Sequence, residues 1–138
     1  MFDQFPALAM LPASDIQRAK GWYQEILGLT PTEEDEGGLT YQAGGTRFGV
    51  YPSEFAGTNQ ATAMGFEVQD LDKVADDLIG RGVEFERFDL PYAKTDERGV
   101  AEIGSYRGFW LKDSEKNIIN VAQRRRAERP TTPNVAEF

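Results

Sequence analysis

Residues 5–13 are mostly apolar, interrupted by Pro6 and Pro12, and predict a first strand. Ser14 or Asp15 can cap a following helix, because their side-chain oxygens accept orphan backbone N–H groups. Ile16, Ala19, Tyr23, Ile26 and Leu27 then recur at helical spacing, with Gly28 as a terminator and Pro31 beyond it. The acidic stretch over residues 32–38 (Glu33, Glu34, Asp35, Glu36) predicts a solvated turn. Residues 39–43 and 46–51 form a predicted hairpin about Gly44–Gly45, where glycine supplies positive φ.

After a turn-rich linker over residues 52–60 the pattern restarts. Residues 62–68 predict a strand, and Asp70 caps a helix carrying Leu71, Val74, Leu78 and Ile79. Gly82 ends that helix, and residues 83–88 predict the next strand. A long loop over 89–99 leads to strands over 100–106 and 109–112, a turn over 113–117 and a last strand over 118–123. Sliding the chain by 55 positions sets Asp15 on Asp70, Ile16 on Leu71, Ala19 on Val74 and Tyr23 on Leu78. The chain therefore reads as α+β, with two βαβββ modules over roughly residues 5–52 and 61–123. One such unit cannot cover both faces of its sheet. Pairing two predicts a curved, eight-stranded mixed sheet around a cavity, with the helices outside.

Composition narrows the chemistry. The 138 residues suit a single domain with a sizeable core, and no apolar run approaches the length of a membrane span. The N-terminal residues lack the pattern of a secretory signal, so the cytoplasm is the expected location. Cysteine and histidine are both absent, which excludes disulfides, thiolate sites and every imidazole-dependent mechanism. No cofactor is expected. Net charge is −8, and residues 124–138 are locally basic through Arg124, Arg125, Arg126 and Arg129. Such a field repels phosphate backbones and argues against a nucleic-acid partner. The basic segment, with Pro130 and Pro133, is expected to form a tail beyond the domain of residues 1–123.

Three segments carry a family resemblance. Asp15-Ile16-Gln17-Arg18-Ala19-Lys20-Gly21-Trp22-Tyr23 followed by Ile26-Leu27-Gly28-Leu29 resembles the first-helix signature of the vicinal oxygen chelate superfamily, which includes glyoxalases, bleomycin resistance proteins and extradiol dioxygenases. Phe66-Glu67-Val68-Gln69-Asp70-Leu71-Asp72 with Arg81-Gly82-Val83-Glu84-Phe85 is similar to the opening of its second module. Asp113-Ser114-Glu115-Lys116-Asn117-Ile118-Ile119-Asn120-Val121 resembles its closing turn and strand, D-P-x-G-N-x-I-E-L. The resemblance implies a fold, and metal-dependent members imply His or Glu ligands at four positions. Those positions fall here on Leu8, Ala63, Asn120 and about Gly49, which together offer one neutral oxygen, so no metal is expected.

Strand alternation gives candidate cavity residues independently. Leu8 and Met10 share one face of the first strand, and Ala63, Gly65 and Glu67 one face of the fifth. With Gly49, Tyr51, Arg107, Trp110 and Asn120 they make up the predicted cavity, and Arg47, Tyr92 and Tyr106 are further candidates for its mouth. Glu67 is the one candidate catalytic carboxylate. The expected function is metal-independent binding of an apolar or aromatic small molecule. Two alternatives stand beside it: a metal-free isomerase, epimerase or lyase using Glu67 or a tyrosine as base, and a structural or partner-binding protein with a filled cavity. A homodimer is expected from unpaired sheet edges, and no membrane contact.

Overall fold

A computed structural model describes residues 1–125. Its contacts divide into two compact units, one of Met1–Met64 with Lys112–Ile119, the other of Gly65–Leu111 with the described residues from Asn120. No helix among the described residues is long and apolar enough to cross a membrane. The expected tail residues Arg126, Arg129, Pro130 and Pro133 lie outside the described residues.

The first unit opens with a single 3-10 turn, Phe2–Gln4, before β1 (Ala9–Ala13). The strand starts later than the apolar run, at Ala9, where pairing with Phe48 of the fourth strand begins. Asp15 caps α1 (Ile16–Trp22) by accepting from the Arg18 amide. The helix then widens into a π turn over Tyr23–Leu27 and stops at Gly28, whose φ of 70° suits a residue without a Cβ. β2 (Glu33–Asp35), β3 (Gly38–Ala43) and β4 (Thr46–Pro52) follow. The expected acidic loop is thus partly a strand: Glu33–Asp35 pairs antiparallel with β3. Its residues are exposed on both faces, so no apolar alternation marks it, and its charges protect an open edge. The sheet order is β1-β4-β3-β2, with β1 parallel to β4. Its buried face holds Leu11, Leu39, Tyr41, Phe48 and Val50 against Ala19 and Tyr23, and the Tyr23, Tyr41 and Phe48 rings pack at 5.1 to 5.9 Å.

The second unit repeats the plan. β5 (Thr62–Glu67) leads to α2 (Leu71–Gly80), capped by Asp70 accepting from the Lys73 amide. A two-residue hairpin, β6 (Asp89–Leu90) and β7 (Ala93–Lys94), interrupts the expected long loop. β8 (Ala101–Ile103), β9 (Tyr106–Lys112) and β10 (Ile118–Arg124) complete it. The order β5-β10-β9-β8 copies that of the first sheet, so the eight principal strands hydrogen-bond as two four-stranded sheets. The strand expected over 83–88 is absent: Glu86 makes one backbone bond, to the Trp110 carbonyl, where β8 has already ended. Its apolar signal comes from Phe85, which stacks on Phe109 at 4.0 Å. Leu71, Ala75 and Leu78 of α2 are buried, as are Phe109, Leu111 and Val121.

Candidate functional site

The second sheet has one face turned from its helix. There, side chains two apart along each strand gather around a hollow of about 390 Å³. β5 contributes Gly65, Phe66 and Glu67, and β10 contributes Asn120 and Ala122. Tyr106, Gly108 and Trp110 come from β9, and Ala101 and Ile103 from β8. The small residues form the floor. Ring faces and the Ile103 side chain supply the apolar wall.

Local packing fixes the floor. A Cβ on Gly108 would lie 2.6 Å from the Val121 carbonyl oxygen and 3.1 Å from Asn120 Nδ2, so this position has no room for a side chain. Gly65 differs: a Cβ there would meet Asn120 Oδ1 at 3.6 Å, an ordinary contact. Its bareness is therefore not forced by the sheet. Asn120 Nδ2 donates to the Phe109 carbonyl at 3.2 Å, which turns the amide oxygen toward β5. Glu67 is exposed, and its carboxylate has no hydrogen-bond or ion-pair partner among the described residues. Trp110 is buried to 8% exposure and meets Phe88 edge-on at 5.3 Å. At the rim, the Arg124 guanidinium sits 4.7 Å over the Tyr106 ring and donates to its hydroxyl at 2.6 Å.

Of the candidate cavity residues, Gly65, Glu67, Trp110 and Asn120 come together here. Arg107 does not. It lies between Tyr106 and Gly108, so its side chain leaves by the opposite face, where it pairs with Asp72 of α2 at 3.2 Å. Leu8, Met10, Gly49, Tyr51 and Ala63 belong to the first unit, and none lines the hollow. Leu8 is 40% and Met10 50% exposed, and the Met10 thioether lies across Gly49. Arg47 and Tyr92 are exposed side chains elsewhere. Ala101, Ile103, Gly108 and Ala122 escaped sequence reasoning, although the two-residue period running through Tyr106 and Trp110, and through Asn120, could have found Gly108 and Ala122.

The family's metal positions offer too few donors here to hold an ion. Leu8, Ala63 and Gly49 carry no ligand atom, the space over Gly49 is taken by Met10, and Asn120, whose Nδ2 is bonded to the backbone, offers one neutral oxygen. Among the described residues no group of three or more His, Cys, Asp or Glu side chains is placed to bind an ion.

A second polar centre lies in the first unit. Glu115 is buried and accepts from the Ser14 and Asp15 amides at 3.0 and 3.1 Å, from Arg18 Nε at 2.9 Å and from the Ser114 hydroxyl at 2.8 Å. Burial pushes this carboxyl up, but hydrogen bonds from Arg18, Ser114 and the Asp15 amide, with the Arg18 charge, hold it down at about 2. Asp113 beside it accepts from the Glu115 and Asn117 amides at 2.8 Å and from the Tyr23 hydroxyl at 2.7 Å. This centre anchors the start of α1 to the turn before β10.

The family model described as the Glyoxalase/Bleomycin resistance protein/Dioxygenase superfamily matches residues 6–88. Among solved structures, a glyoxalase/bleomycin resistance protein from Catenulispora acidiphila is similar at 25% identity, covering 86% of this chain and 96% of that one, with a TM-score of 0.60. A glyoxalase family protein from Enterococcus faecalis is similar at 18% identity over 88% and 99%, with a TM-score of 0.64. One from Alicyclobacillus acidocaldarius, titled glyoxalase/bleomycin resistance protein/dioxygenase, shares 17% identity over 88% and 92%, with a TM-score of 0.63. No curated protein matches the sequence. With more than half of its length matched and the duplicated βαβββ plan in place, the chain belongs to the glyoxalase/bleomycin resistance protein/dioxygenase superfamily.

Proposed function

We propose that this protein binds an apolar or aromatic small molecule, without a metal ion, in the hollow on its second sheet. The observation carrying this reading is a volume of about 390 Å³ floored by small residues and walled by Tyr106, Trp110 and Ile103. That volume and lining fall within the range of small-molecule sites. A ring burying about 150 Å² of apolar surface would gain roughly 4 kcal/mol, before the cost of association. Glu67 and Asn120 would then orient what shape and apolarity admit. The single neutral oxygen that the family's metal positions offer supports a metal-free mode.

The test is a binding titration in chelator, followed by tryptophan fluorescence, with a variant that fills the floor. Gly65→Leu is the suitable variant, since a Cβ at Gly65 meets only ordinary van der Waals contacts. Saturable quenching in wild type that disappears in the variant supports the proposal, and equal quenching in both refutes it. Added zinc, nickel or manganese at stoichiometric concentration should leave Tm unchanged. The reading extends to a homodimer, supported by the exposed Phe2, Phe5, Leu8 and Met10 of the first unit and tested by sedimentation.

A further inference from the structure

The polar groups of the hollow are not spread evenly around it. Glu67, on edge strand β5, presents a carboxylate with no partner among the described residues. The Asn120 amide is held by its bond to the Phe109 carbonyl so that Nδ2 faces β9 and Oδ1 faces Gly65 of β5. The β5 side therefore presents acceptors. The β9 side presents the Tyr106 and Trp110 rings. Arg107, which could have supplied a donor, is on the other face with Asp72, and Arg124 is committed to the Tyr106 ring and hydroxyl.

We infer that the hollow selects flat apolar molecules bearing a protonated amine, the ring lying on the β9 side and the ammonium directed at Glu67 and the Asn120 amide oxygen. This rests on the reading that the hollow binds ligand at all, and adds the ligand's charge and orientation. Ammonium groups are donors only, and the acceptors on the β5 side complement them. A carboxylate ligand would instead face two acceptors and a chain of net charge −8. The ring wall adds to the selection, since aromatic faces attract cations.

Three probes with one ring system separate the possibilities: naphthylmethylamine, naphthalenemethanol and naphthoate, measured by calorimetry on the full chain in low salt with chelator. The amine should bind about fivefold more tightly than the alcohol, the increment of an exposed charge-assisted contact, and naphthoate should bind most weakly. Glu67→Gln should remove the amine's advantage over the alcohol. Equal binding of amine and alcohol, or an advantage that survives Glu67→Gln, overturns the charge assignment while leaving the hollow as a ligand site. Failure of all three probes to bind, or unchanged binding in folded Gly65→Leu and Ala122→Leu variants, overturns the site itself and the assignment with it.

Discussion

Glu115→Gln removes a charge from the most densely hydrogen-bonded side chain of the first unit. The wild-type carboxylate is buried, satisfies two amides at the start of α1, and takes two bonds from Arg18, at 2.9 and 3.0 Å. Glutamine keeps one oxygen but replaces the other with a donor that faces Arg18, so at least one bond becomes a donor–donor contact. The carboxyl lies at about 2 against a usual 4.5, which corresponds to about 3 kcal/mol of linked stability. Arg18 is half exposed, and water screens part of that, so about 2 kcal/mol is the expected loss. In a domain of this size the loss lowers Tm by roughly 5–10 °C. The pH dependence follows in sign. A depressed carboxyl contributes fully above its unfolded value of about 4.5, and the contribution is lost as pH falls from there through about 2. Wild type should therefore lose stability over that window more steeply than the variant. Thermal unfolding followed by circular dichroism between neutral pH and pH 2 measures both quantities. A variant within about 0.5 kcal/mol of wild type at neutral pH, with parallel acid profiles, would refute the reasoning.

Lys116 holds φ at 70° in the turn before β10, where a side chain is disfavoured, so Lys116→Gly should stabilise by about 0.5–1 kcal/mol in denaturant titrations. Gly108→Ala should destabilise by about 1–3 kcal/mol because its Cβ meets a backbone oxygen, whereas Gly65→Ala should stay within about 0.5 kcal/mol of wild type. The Tyr41 hydroxyl is buried without a hydrogen-bond partner among the described residues, and burial, with the nearby Glu34 charge, pushes it up to about 12. Tyr41→Phe should therefore be neutral or stabilising by up to about 1 kcal/mol, and a loss of 2 kcal/mol or more would show that the hydroxyl has a partner.

Caps and periodicity made the fold legible. Asp15 and Asp70 announce both helices with the same side-chain bond to the amide three residues on, and the spacing between them reveals the duplication. What stayed hidden depends on contacts distant in sequence. Glu33–Asp35 is a strand only because β3 lies beside it, and its residues bury nothing that a pattern could register. Residues 83–88 have strand-like apolarity but lack a neighbour along most of their length. In the candidate site, alternation put Gly65 and Glu67 on one face of β5 and turned Asn120 inward, and the same alternation, applied to Arg107 and Trp110, would have sent the first to the helix side with Asp72 and the second to the hollow. Glu115 looked like a turn residue. Its burial follows from Ser14 and Arg18, about a hundred residues earlier in the chain, and no local signal encodes that meeting.

Amide-resolved NMR of the full chain, titrated with naphthylmethylamine in the presence of chelator, tests the central claim most directly. Saturable shifts should concentrate on Gly65, Glu67, Gly108, Trp110 and Asn120, with the indole signal of Trp110 among the largest. Shifts centred on other residues, or shifts that appear only after a divalent metal is added, would contradict a metal-free binding hollow on the second sheet.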